Sequence, residues 1–160
     1  MNKSVLSVLV DNTSGVLNRV AGLFSRRGYN IDSLTVGETE NPKYSRMTIV
    51  VRGDDEVLEQ IEKQIAQLED VIKVDVLGDA SVCRELILVK VAATAEERQQ
   101  IISIADIFRA KIVDVAPESL MIELTGNQAK LSAFTSLLDG FKILELARTG
   151  ITGLARGIID

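Results

Sequence analysis

Residues 8–31 read VLVDNTSGVLNRVAGLFSRRGYNI. An apolar run ends at Val10, and five small or polar residues follow, Asp11 to Gly15. Val16, Leu17, Val20, Leu23 and Phe24 then recur at helical spacing, so that one face is apolar. Arg26 and Arg27 fall where cations complement the negative end of a helix, and Gly28 supplies the stop. Asn30 to Gly37 reads as a second strand. The stretch is therefore strand, turn, helix, strand, with a glycine-bearing polar turn at the helix start.

Working outward, Ser4 to Val10 alternates as a strand. Arg46 to Arg52 alternates too, with Met47, Ile49 and Val51 on one side. Asn41-Pro42 marks the turn before it. Asp54, Asp55 and Glu56 place carboxylates at a helix start, where the dipole favours them. Val57, Leu58, Ile61, Ile65 and Leu68 form that helix's stripe. Ile72, Val74 and Val76 close with a strand. The order is β-α-β-β-α-β, and the chain then repeats it. Glu85 to Val91 is a strand, Thr94 with Glu97 a capping box, and Ile101, Ala105 and Phe108 a helix. Lys111 to Val115 and Leu120 to Leu124 are strands turned at Pro117. Leu131, Phe134 and Leu138 lie on a helix that stops at Gly140, and Lys142 to Ala147 completes the unit.

The expected fold class is α+β, as two tandem ferredoxin-like units. The expected domains are 1–77 and 85–160, joined by a connector at 78–84. Each sheet has one face without helices. In the first unit that face carries Val5, Ser7, Thr48, Val50, Lys73 and Asp75. It is too apolar for solvent, and a homodimer is expected to cover it. The closing ARTGITGLARG reads either as a mobile tail or as a docking segment.

Composition removes several function classes. The chain has 160 residues, 46% of them hydrophobic, so it folds rather than remaining disordered. Its net charge of -5 argues against nucleic acid as a partner, which calls for a basic face. No apolar run approaches the ~20 residues of a membrane span. Cys83 is the single cysteine, which fits a cytoplasmic location. With no histidine at all, every Ser-His, Cys-His or histidine-ligand site is excluded within this chain. Asp54-Asp55-Glu56 lacks the alternation of a calcium loop, so no metal site is expected.

Two positions remain as binding candidates. The first N–H groups of a helix have no intrahelical partner and attract anions. Gly15 would let a ligand approach closely. Ser14 or Asn12 can equally be an ordinary N-cap. The glycine pattern of a phosphate loop is absent, so a small carboxylate fits the turn better than a nucleotide. Asn30 offers amide donors and an acceptor, or serves its own turn.

Beyond the pattern, LSVLVDNTSGVLNRVAGLFSRRGYNIDSLTVG, SRMTIVV, VLEQIEKQIAQLEDVIKV, RELILVKV and GITGLARG resemble the small, regulatory subunits of acetohydroxyacid synthase (acetolactate synthase). The resemblance covers essentially the whole chain and is looser around residues 92–119. It implies that the first unit is an ACT domain, an amino-acid-binding module that pairs side by side in a homodimer. It implies valine as feedback effector at that interface. By position, Asn12, Gly15 and Asn30 match the family's valine-sensitivity residues, with Ser14, Val16, Leu17 and Ile31 around them. It implies no catalytic residue and no cofactor here. Thiamine diphosphate, FAD and magnesium would sit on a separate large catalytic subunit, which this chain activates. The open sheet face and GITGLARG are the two expected contacts with that subunit. A free-standing amino-acid sensor is the alternative, and a self-contained carboxylate enzyme a distant third.

Overall fold

The computed structural model describes residues 2–158. The elements of the first half are β1 (Asn2–Asp11), α1 (Val16–Arg27), β2 (Asn30–Glu38), β3 (Tyr44–Gly53), α2 (Asp55–Ala66) and β4 (Val71–Leu77). The second half holds β5 (Ser81–Ala92), α3 (Ala95–Ile107), β6 (Lys111–Ala116), β7 (Ser119–Gly126), α4 (Gln128–Leu137), β8 (Ile143–Arg148) and β9 (Thr152–Ala155). The expected βαββαβ order is present twice. The first sheet runs β2-β3-β1-β4, the second β6-β7-β5-β8, and the pairings along both orders are antiparallel.

Alternation in β1 and β3 builds the first core. Leu6, Val8 and Val10 meet Met47, Ile49 and Val51 on one sheet face, under Val16, Val20, Leu23 and Phe24 of α1 and Ile61 and Ile65 of α2. Each such side chain, fully buried, contributes on the order of 1.5–3 kcal/mol. Gly28 ends α1 with φ 69°, its N–H bonding back to the carbonyls of Phe24 and Ser25. The second core repeats the plan, with Ile87, Val89 and Val91 under Ile101, Ala105, Leu131 and Phe134. The Thr94–Glu97 capping box forms as the spacing predicts.

The helix-free face of the first sheet carries the residues expected of it. Val5 lies opposite Val50, Ser7 opposite both Thr48 and Asp75, and Leu9 opposite Lys73. That face is nevertheless not open. Ser7, Thr48 and Val50 are all buried. The chain's own closing segment lies on it. The Ile151 N–H donates to Ser33 Oγ (3.1 Å) and the Thr35 hydroxyl donates to the Ile151 carbonyl (3.2 Å). Ile151 and Gly153 are buried. The Arg46 guanidinium donates to Ser7 Oγ at 2.7 Å, which satisfies one of the buried hydroxyls.

Three sequence expectations change as a result. Residues from Ile151 on group with the first unit, residues up to Cys83, while the second unit is 84–150; the expected second domain ran to the chain end. The connector shortens, because β5 begins at Ser81: β9 pairs with it, and the Arg156 N–H donates to the Ala80 carbonyl (2.8 Å). And GITGLARG is neither a mobile tail nor a free docking segment through Ala155. The two surfaces expected to meet a large subunit instead engage each other.

Gly153 marks how tightly the segment seats. A Cβ there would lie 2.7 Å from Cys83 Sγ and 3.0 Å from both Leu77 Cδ1 and the Val82 carbonyl. Gly153→Val should therefore lower stability by about 1–3 kcal/mol, as overpacking does, read as a shift in the urea midpoint. Gly78→Ala, at a site with nothing within 4 Å of the added carbon, should leave the midpoint nearly unchanged.

Candidate functional site

The turn between β1 and α1 is built from backbone, with no side-chain cap. Gly15 is the N-cap of α1, at φ 86° and ψ -3°, and no side chain bonds to the first-turn N–H groups. The other three helices are each capped by a side chain, from Asp54, Thr94 and Asn127. Neither Ser14 nor Asn12 is thus the ordinary cap that the sequence left open. The Val16 N–H makes only a long bond to the Thr13 carbonyl (3.4 Å), and with no side-chain cap the start of α1 keeps its positive partial charge. No carboxylate occupies that first turn.

Asn12 is exposed and anchors the turn to the β2–β3 loop. Its backbone N–H donates to the Lys43 carbonyl (2.7 Å) and its side-chain amide to the Pro42 carbonyl (3.0 Å). Ser14 is exposed, and Val16 is buried in the core. Leu17 is 44% exposed beside the turn, so it presents apolar surface there.

Arg19, one helical turn on, reaches back over this start. Its Nε donates to the Asp70 carboxylate and its Nη2 to the Ser14 carbonyl at 3.4 Å. Donating to the Asp70 carboxylate pushes the guanidinium pKa still higher, so the charge is constant across the physiological range. Asp70 is itself placed by the Asp11 N–H, which donates to its carbonyl (2.9 Å). Sequence reasoning missed Arg19. Its i+4 spacing from Gly15 was the available signal; Asp70, far along the chain, carried none.

Asn30 is exposed at the first position of β2, opposite Arg52. Among the described residues its side-chain amide bonds to nothing in the chain. Ile31 follows, half-buried against the core.

These residues do not form one pocket within the chain. Arg52, opposite Asn30, also lies opposite Lys3 at the start of β1. Asn12 follows Asp11, at the far end of the same strand. At about 3.3 Å per residue, Lys3 to Asp11 spans roughly 26 Å. The structure brings Asn12, Ser14, Gly15, Val16 and Leu17 to one end of the unit and Asn30 and Ile31 to the other. Among the described residues no cluster of acidic or cysteine side chains could hold a metal ion, and no helix is long and apolar enough to cross a membrane.

A family model described as "AHAS small subunit-like ACT domain" matches residues 6–73, and one described as "Small subunit of acetolactate synthase" matches residues 84–157. A probable acetolactate synthase small subunit of Methanothermobacter thermautotrophicus is 56% identical, over 96% of this chain and 92% of that one. The acetolactate synthase isozyme 3 small subunit of Escherichia coli is 51% identical, over 97% and 96%. The crystal structure of an acetolactate synthase small subunit from Thermotoga maritima superposes with a TM-score of 0.91 at 45% identity, covering 99% of this chain and 100% of that one.

Gly15 meets two demands at once. Its φ is one that L side chains rarely adopt, and a Cβ would lie 2.9 Å from Arg19 Nη1. Gly15→Ala should cost about 1–2 kcal/mol from the left-handed backbone, and Gly15→Asn less, because Asn tolerates that region. Denaturant midpoints of the two variants check the ranking.

Proposed function

Because the chain belongs to the acetolactate synthase small-subunit family, we propose that it regulates a separate acetolactate synthase catalytic subunit and makes it sensitive to valine. The first unit is the effector-binding and dimerising domain, and residues 84–150 form the body of the second regulatory domain. The observation that carries the effector reading is the uncapped start of α1. Its N–H groups, with the Arg19 charge beside them, suit a carboxylate. Asn12 and Asn30 supply amide partners for the ligand's polar atoms, and Leu17 and Ile31 apolar surface for a branched side chain.

The site is completed by a second copy. β2 is an edge strand of nine residues, and an unpaired edge is a template for another strand. Antiparallel pairing of β2 with β2 of a second copy sets Asn30 opposite the Glu38 end of its partner. Glu38 lies opposite Ser45, at the end of the sheet that holds Asn12 and Gly15. A twofold dimer would thus unite the two halves that a single chain keeps apart, giving two equal sites.

Regulation follows by linkage. Valine favours the dimer arrangement that binds it better, by no more than its preference between the states. That arrangement holds the catalytic subunit in a less active form. This chain contributes no catalytic group. The thiamine diphosphate, FAD and magnesium chemistry belongs to the partner, and the single cysteine is consistent with work in the cytoplasm.

Asn12→Ala removes one or two polar contacts to the ligand. At ~1–3 kcal/mol, valine binding weakens roughly tenfold to a hundredfold. Reconstituted enzyme titrated with valine should show that shift, with activation in the absence of valine retained. Unchanged inhibition removes Asn12 from the site.

A further inference from the structure

The two units share a plan but differ at one end. In the first, Asn2 lies opposite Gly53, which precedes the N-cap Asp54. Its side-chain amide donates to the Asp55 carboxylate at 2.7 Å, which ties β1 to the first turn of α2. In the second unit Glu85 lies opposite Gly126, which precedes the N-cap Asn127. Glu85 therefore holds the position of Asn2, and Gln128 that of Asp55, but no hydrogen bond joins them among the described residues. A cavity of about 560 Å³ lies there instead, lined by Glu85, Ile87, Gln128, Leu131, Ser132 and Arg148 among others. That volume is in the range of small-molecule sites.

The lining is chemically asymmetric. The Glu85 side chain is only 7% exposed, and its ion-pair partner Arg148, 57% exposed, approaches no closer than 3.8 Å. At that distance the Glu85 carboxylate, which lines the cavity, keeps room to accept from a second cationic donor. Arg148 lies opposite Ile87, so both project to the helix side of the sheet, as does Glu85 two residues before Ile87. Across from them is the first turn of α4, where only the third N–H is taken by the Asn127 cap. One wall thus seeks a cation, while Arg148 and the helix start seek an anion. Ile87 and Leu131 supply apolar surface between.

We propose that this cavity is a second small-molecule site, in the second unit, for a zwitterion with an apolar side chain. The ligand's ammonium donates to Glu85 and its carboxylate accepts from Arg148 and the start of α4. The proposal stands apart from the effector site at Asn12 and Asn30 and does not depend on it.

The test is amide NMR of the full chain, which separates the two regions by residue. The probes are L-leucine, 3-methylbutylamine (no carboxylate) and 4-methylpentanoate (no ammonium). L-leucine should shift Glu85, Ile87 and the first turn of α4 saturably, in wild type and in Asn12→Ala alike. Each half-ligand should bind there at least tenfold more weakly. Glu85→Gln should weaken leucine at least tenfold. Ser132→Leu, at an exposed helix position, should fill the cavity and abolish those shifts while the rest of the spectrum is kept. No saturable shift there, shifts unchanged in both variants, or equal binding by the amine alone would overturn the proposal.

Discussion

A single chain holds Asn12 and Asn30 at opposite ends of one antiparallel ladder, and the function proposed for it rests on that separation. β1 is an extended strand in the middle of the sheet, paired along its length to β3. No rotamer change closes a gap of roughly 26 Å, the length of eight strand residues. If both amides serve one ligand, they must come from two chains. The free edge of β2 then stops being a liability and becomes the joint that assembles the site. Regulation by a shift between dimer arrangements follows from the same fact, because a ligand held by two chains senses their relative placement.

Much of this was legible in the sequence because it is local. Apolar periods placed the strands and helices, Gly28 placed the end of α1, and Thr94 with Glu97 placed the start of α3. The alternation of Val5 and Ser7 against Thr48 and Val50 even set the composition of the second sheet face. What covers that face was not legible. Ile151 pairs with Ser33 and Thr35, more than a hundred residues away, and no local pattern carries such a contact. The same holds for the start of β5, which extends into the expected connector once β9 provides a partner. Arg109 shows another limit. It takes a left-handed φ of 58° after α3, where glycine or asparagine is the usual signal.

At the candidate site the residue types were legible and their arrangement was not. The turn's polarity and Gly15 pointed to a helix start open to an anion. Whether a side chain would cap that start could not be read, since Ser14 and Asn12 are both good caps. The structure leaves it uncapped and lays Arg19 across it, held by Asp70. That pairing depends on the junction of α2 with β4 meeting the junction of β1 with α1, which is tertiary information.

The most direct measurement mixes two variants. Chains with Asn12→Ala are combined with chains carrying Asn30→Ala, subunits are allowed to exchange, and valine binding is measured by calorimetry. If each site takes Asn12 from one chain and Asn30 from the other, mixed dimers regain one intact site. About a quarter of the wild-type sites per chain should then return in a fully exchanged twofold dimer. If binding remains as weak as in either variant alone although the chains have exchanged, no site spans two chains and the account is wrong.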